Sequence, residues 1–442
     1  MRMTAPRVRR RKTIAALASS ALLLTGCGTD VSGSADGGAE SFVFTPGDEV
    51  VEIEYWSAAV EDLNTTLIED FNEGPGTELG IHVNISYQGE YAEQQQKLYA
   101  AQLADTLPNL FVSEASSTAA LVDAELAVPL DPYIEANDLD VEDFEIGEIG
   151  YLFSGEEQYA LPYMRSVPVM YVNRGVLEKY GFDPSGPKTL EELGEVLRTV
   201  SAGQGAPAMP FLMTTWFIEP LLYSFADLPI NAEDGSSNIA DRKAVELVEW
   251  LRDLIDDGAI KLIPRGQTQD LIASLVAPTT AVSFYTSAGI TGLQKTAPER
   301  GVDLGVALFP SGEDGSRGVA VGGSNLYIAD TGTVQQKAAA FELARWLTEA
   351  EQAAANSAAT GYIAVRESAR DTETLQSVFS TNPAFGVASE QMTYARSRVL
   401  SPNNVEVDAL VGERLDQLVT QDQDAADALS ALAEELDAIS SR

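Results

Sequence analysis

The sequence predicts an α/β fold built as two lobes, and three observations predict it. Strand-like and helix-like patterns alternate between residues 51 and 112 in the order β-α-β-α-β, the signature of a parallel, doubly wound sheet covered by helices. Once an N-terminal leader and tether are set aside, about 395 of the 442 residues remain, more than one hydrophobic core usually holds. No repeat occurs at a solenoid or propeller period.

The elements follow in order. Val51-Glu52-Ile53-Glu54-Tyr55-Trp56 alternates as a half-buried strand, and residues 63–72 have helical character. Ile81 to Tyr87 is a second strand, with Ile81, Val83, Ile85 and Tyr87 facing inward and His82, the one histidine, on the outer face. Residues 93–104 predict a helix and Asn109–Val112 a short buried strand. A helix over 241–257 places Leu247, Val248, Leu251, Leu254 and Ile255 on one face and stops at Gly258. An Ala-rich helix is predicted over 334–355, and the stretch from Val405 onward is helical and acidic.

The N-terminus predicts the compartment. Residues 2–12 carry six basic side chains, residues 13–24 are mostly apolar but too short to cross a bilayer, and Leu24-Thr25-Gly26-Cys27 ends the run. That is a secretory signal peptide over 1–26. The small residues before the only cysteine resemble a lipobox, in which the Cys27 thiol is acylated and becomes the new N-terminus. The protein is then expected outside the cytoplasm, held to the cell membrane by lipidated Cys27 alone, with Gly/Ser/Asp-rich residues 27–47 as a flexible tether. Export by the general or the twin-arginine route is left open by Arg9-Arg10-Arg11.

Composition then excludes function classes. Without residues 1–26, 22 basic residues face 67 acidic ones, a formal charge near −45 that repels nucleic acid and anionic membrane surfaces. A lone histidine and a lipidated cysteine leave no His-dependent triad, no thiol catalysis and no zinc site of the usual kind. No phosphate-cradling G-x-x-x-x-G-K-[ST] or G-x-G-x-x-G string follows a strand. The acidic run Asp138 to Asp143 lacks the glycine of a calcium loop and reads as a solvated loop. No cofactor, metal or catalytic residue is expected.

Ligands of open α/β sheets bind beyond the carboxyl ends of strands. Here those loops are Tyr55-Trp56-Ser57, Gln88-Gly89-Glu90-Tyr91 and Val112-Ser113-Glu114-Ala115-Ser116, which a cleft between lobes would gather. These segments, with the lipobox, Leu107-Pro108-Asn109, Tyr171-Val172-Asn173, Gly181-Phe182-Asp183-Pro184 and Gly322-Gly323-Ser324-Asn325-Leu326, resemble extracellular solute-binding proteins of bacterial ABC importers. More narrowly the chain resembles their family-1 carbohydrate type, and within it the glycerol-3-phosphate and glycerophosphodiester binders. The likeness runs from about residue 50 to the end.

The resemblance implies a two-lobe periplasmic-binding-protein fold with three hinge crossings, near Pro162, Ser283 and Leu326. Residues 48–162 and 283–325 would form lobe 1, and 163–282 and 326–442 lobe 2. It implies a monomeric receptor, not an enzyme, that takes a small solute from the cleft to the ABC permease subunits. Its ligand-binding residues would be Tyr91, Glu114, Ser166, Trp216, Ser287, Gly322, Gly323, Tyr362 and Arg398. Arg398 and the Gly322-Gly323 amides would grip a phosphate, and Glu114 would hold glycerol hydroxyls at the opposite end. Met213 stands where those binders carry a tryptophan, which would open room for a larger head group such as phosphocholine. Read by themselves, Trp216, Tyr91 and Tyr362 fit core packing equally well, Gly322-Gly323 a hinge turn, and Arg398 a surface ion pair.

Two other readings compete. An oligosaccharide receptor of the same fold would use Trp56, Trp216 and the tyrosines as stacking platforms. A secreted glycosidase would need paired carboxylates, for example Glu114 and Asp123.

Overall fold

The computed structural model describes residues 42–144, 152–231, 236–396, 403–421 and 423–440. The signal peptide, Cys27, most of the tether and Arg398 lie outside the described residues.

Lobe 1 is organised by a five-stranded sheet in the order Ile81–Tyr87, Val51–Ser57, Leu110–Glu114, Gly322–Ile328, Leu161–Ser166. The first three strands are parallel, because the helices Glu61–Glu73 and Tyr91–Leu103 carry the chain back across the sheet between them. Gly322–Ile328 runs antiparallel to both neighbours, so its first residues meet the carboxyl ends of the others. Alternation buries Ile53, Tyr55, Leu110 and Val112 with Phe341 and Leu347 on one face, and Phe111 and Tyr327 on the other. His82 is exposed on its strand, as its place in the alternation predicts.

Lobe 2 is built differently. Pro168–Asn173 lies between Val282–Thr286 and Leu304–Ala307, and both pairings are antiparallel. Met209–Leu212 and Ile260–Ile263 form a separate parallel pair. The helices Leu190–Gln204, Thr215–Ala226, Arg242–Asp256, Asn404–Thr420 and Ala425–Ser440 supply the same large core, which includes Leu193, Phe211, Leu222, Leu251, Phe284, Leu415 and Leu429. The predicted 334–355 helix is in fact two, Val334–Leu347 and Ala350–Thr360.

The expected lobe boundaries need correction. Ser283 is not a crossing: it sits mid-strand, paired with Tyr171 inside lobe 2. Ile290, Leu293, Leu304 and Phe309 pack in the lobe 2 core, whereas Leu326, paired with Val112 and Leu161, and Phe341 pack in lobe 1. The assignment of 283–325 to lobe 1 is therefore reversed up to Val321, and the segment from 326 to about Leu375 belongs to lobe 1, whereas the chain from Ala384 onward packs in lobe 2 as expected. The chain crosses at Ser166–Pro168 and at Val321–Gly322, and again between Leu375, in lobe 1, and Ala384, in lobe 2. The order of strands misled because sheet membership depends on pairing partners far apart in sequence.

The tether ends earlier than residue 47. Phe44 is buried in lobe 1, the Phe42 ring meets Tyr133 edge-on at 5.0 Å, and Asn137 donates to the Phe42 carbonyl. Two aromatics in a Gly/Ser-rich run are enough to anchor it to a core.

Candidate functional site

The carboxyl ends of the lobe 1 strands converge with the start of Gly322–Ile328. Its register sets Ser324 beside Glu114 and Gly322 beside Ser166. Tyr91 opens the helix after the Ile81–Tyr87 strand, and Tyr362 follows the Ala350–Thr360 helix at the left-handed Gly361. The hydroxyls of Tyr91, Ser324 and Tyr362 are neighbours, yet those of Tyr91 and Ser324 are shut from solvent without a hydrogen bond of good geometry. Burial pushes the Tyr91 hydroxyl up to about 12 despite Ser324 and Tyr362, and Glu114 adds to the rise. Tyr362 is also raised well above its ordinary value, by burial first and then by Tyr91. Both hydroxyls thus stay protonated at neutral pH as donors, while the exposed Glu114 adds acceptors beside them.

Lobe 2 faces this cluster with Tyr285, whose hydroxyl is raised by burial and by Tyr362 and Glu90. Behind Tyr285 opens a cavity of about 470 Å³ whose lining includes Thr214, Trp216, Arg265, Tyr285 and Asp408. This size falls within the range of small-molecule sites.

The remaining predicted residues divide. Trp216 joins the two walls: a Cβ built on Gly322 would stand 2.5 Å from its ring, so only glycine lets the indole lie on the strand. Gly323 has φ +107, and a Cβ there would meet the Met164 carbonyl at 2.1 Å. Both glycines are therefore required by packing at the crossing. Ser166 is buried under this contact. Ser287 is a correction. It is wholly buried, and its Oγ accepts from the Val167 amide at 3.3 Å while its own amide donates to the Val167 carbonyl, so it fastens the hinge and does not reach the cleft surface. Met213 is likewise buried in the lobe 2 core and does not line the cavity, so it opens no extra room there.

Two arginines escaped the sequence reading. Arg165 is completely buried at the first crossing, donating to the carbonyls of Met164 and Ser324 at 2.8 Å each and to Asn325 Oδ1 at 2.7 Å. An arginine inside the apolar run Leu161–Val169 was the available signal. Arg265 follows the Ile260–Ile263 strand, in the kind of loop where sites are expected, and only its distance from the other motifs hid it.

The competing carboxylate pair is not assembled. Glu114 stands by Tyr91 and Tyr362, whereas Asp123 ends the Thr118–Asp123 helix and acts on Tyr99. Among the described residues no cluster of three or more potential ligands is arranged to hold a metal ion. Asp143 of the acidic run instead takes hydrogen bonds from the Ser368 amide and hydroxyl and pairs with Arg366.

Comparison with known proteins agrees with this architecture. The family described as bacterial extracellular solute-binding protein matches residues 66–386. The sn-glycerol-3-phosphate-binding periplasmic protein UgpB of Rhizobium meliloti is 22% identical over 405 residues, covering 87% of this chain and 92% of the relative. Its Yersinia enterocolitica counterpart is also 22% identical, covering 78% and 80%. Among solved structures, UgpB from Mycobacterium tuberculosis in complex with glycerophosphocholine superposes with a TM-score of 0.78 at 21% identity, covering 88% of this chain and 98% of that one. The cyclic alpha-maltosyl-1,6-maltose binding protein from Arthrobacter globiformis gives 0.75 at 19%, covering 88% and 99%. With the family matched over most of its length, the chain belongs to the bacterial extracellular solute-binding proteins, which bind solutes for import and are not enzymes.

Proposed function

We propose that this chain is the lipid-anchored receptor of an ABC importer and binds a glycerol phosphate ester between its lobes, Cys27 holding it to the outer face of the cell membrane. The observation that carries the ligand reading is the lobe 1 cluster: two buried hydroxyls without good partners, Tyr91 and Ser324, beside Tyr362 and Glu114. Buried polar groups are nearly always hydrogen-bonded, so this cluster asks for a polar occupant. A glycerol moiety supplies it, its hydroxyls donating to Glu114 and accepting from the tyrosines. The relatives named for sn-glycerol-3-phosphate support the same class.

The phosphate must sit away from Glu114, and Arg398 is its proposed partner, a role that rests on the sequence resemblance alone. Calorimetry on the purified protein with sn-glycerol-3-phosphate, glycerophosphocholine and maltose tests the reading. The esters should bind and Arg398→Ala should cost about 2–5 kcal/mol of affinity, the loss typical of a desolvated charged partner. Binding of maltose alone, unchanged in Arg398→Ala, would replace it with the oligosaccharide receptor. That second reading is favoured by the Trp216 ring on the cleft wall and by the fold shared with maltosyl-maltose binding.

A further inference from the structure

The lobe 2 cavity holds a combination of groups that the glycerol phosphate does not use. Arg265 makes no hydrogen bond or ion pair among the described residues, and its guanidinium lies against Gly412, where a Cβ would come within 1.9 Å of Nη1. Asp408 faces the same space. Thr215 donates to one of its carboxylate oxygens at 2.8 Å, which fixes the group and leaves its other oxygen to a ligand. The Thr214 Oγ1 is buried on this wall without a hydrogen bond. Leu271 and the Trp216 ring supply apolar surface between these polar groups.

Charge decides what such a cavity takes. A quaternary ammonium gains from Asp408 and the indole face but is opposed by Arg265. A second phosphate gains from Arg265 and is opposed by Asp408. A hydroxylated ring satisfies both, accepting from Arg265 and Thr214, donating to Asp408, and laying its C–H face on Trp216.

We infer that the cavity between Arg265 and Asp408 receives the second head group of the ester, and that this head group is a polyol. The inference rests on the glycerol phosphate ester reading and narrows it to diesters of polyhydroxylated alcohols, with Arg265 and Asp408 as the residues that select the head.

Calorimetry with glycerophosphoinositol and glycerophosphocholine on the wild type, Arg265→Ala and Asp408→Asn tests it. The wild type should bind the inositol ester at least about tenfold more tightly than the choline ester, the discrimination expected of a site built to pair hydroxyls. In Arg265→Ala that ratio should fall toward one, because the polyol loses a donor and the choline cation its opposing charge. In Asp408→Asn it should rise, because the cation loses its attracting charge while the amide still pairs with hydroxyls. A merely structural defect would weaken both esters alike and leave the ratio standing, and the near-isosteric Asp408→Asn guards against a misfolded Arg265→Ala. A wild type that prefers the choline ester, or does not discriminate, overturns the inference while leaving the ester receptor intact, and so does a ratio unmoved in both variants. Failure of both esters and of sn-glycerol-3-phosphate to bind overturns the receptor reading and the inference together.

Discussion

Lobe 1 presents its polar groups from strand ends and helix starts, where the hydroxyls of Tyr91 and Ser324 are buried, whereas lobe 2 presents Arg265 and Asp408 as exposed side chains around an open cavity. The first wall is preorganised. Its donors are locked in their protonated form by burial, and little conformational entropy remains to be lost on binding. The second wall is adjustable, because a long arginine must be ordered by whatever it binds. A receptor made this way recognises a constant part of its ligand rigidly and a variable part adaptably. Between the walls lies the seam at Gly322 and Trp216, where lobe 2 touches the start of the lobe 1 strand through a missing side chain.

The largest effect should come from disturbing the backbone beside that seam, at the crossing itself. Gly323→Ala forces a Cβ into the Met164 carbonyl from a backbone angle that side chains rarely adopt, at roughly 2–5 kcal/mol of folding stability. Denaturant unfolding should show the loss. A neutral result would mean that the crossing can relax and that the two walls are not rigidly spaced.

A smaller effect separates hinge from ligand wall. Ser287→Ala removes the acceptor of the Val167 amide and should cost about 1–3 kcal/mol of stability, because a buried donor is left unpaired. Affinity for a glycerol ester, read by calorimetry on the folded variant, should hardly change. A selective loss of affinity with stability intact would return Ser287 to the binding surface.

The parts of this comparison legible in the sequence were the local ones. Alternation found the strands Val51–Ser57 and Ile81–Tyr87, and with them the place of Tyr91 and Glu114 at the carboxyl ends of the sheet. Contacts between segments far apart along the chain were not legible. Nothing in Gly322-Gly323 says that an indole from residue 216 fills the space beside them, and nothing around Ser283 says that its strand pairs with Pro168–Asn173. Arg265 was missed for the same reason: it becomes part of a site only when the Thr215–Ala226 and Asn404–Thr420 helices bring Thr215 and Asp408 beside it.

The smallest effect tests the preorganised wall itself. Tyr91→Phe deletes one hydroxyl that has no good partner in the ligand-free protein, so the variant should be as stable as the wild type near neutral pH, or more so. If that hydroxyl waits for a ligand, affinity should fall by about 0.5–1.5 kcal/mol, roughly twofold to tenfold. Alkaline unfolding gives an independent reading. The tyrosine titrates near 10 in an unfolded chain but at about 12 in the folded one, so the unfolded state loses its proton first. Stability linked to Tyr91 is therefore complete below pH 10 and is lost as pH rises toward 12. The wild type should weaken over that interval, with Tyr163, Tyr327 and Tyr362, also raised by burial, adding to the decline. Tyr91→Phe should decline less steeply by one group's share. Equal slopes in the two proteins, with affinity unchanged, would show that this hydroxyl meets water in solution and that the lobe 1 wall is no more preorganised than its counterpart.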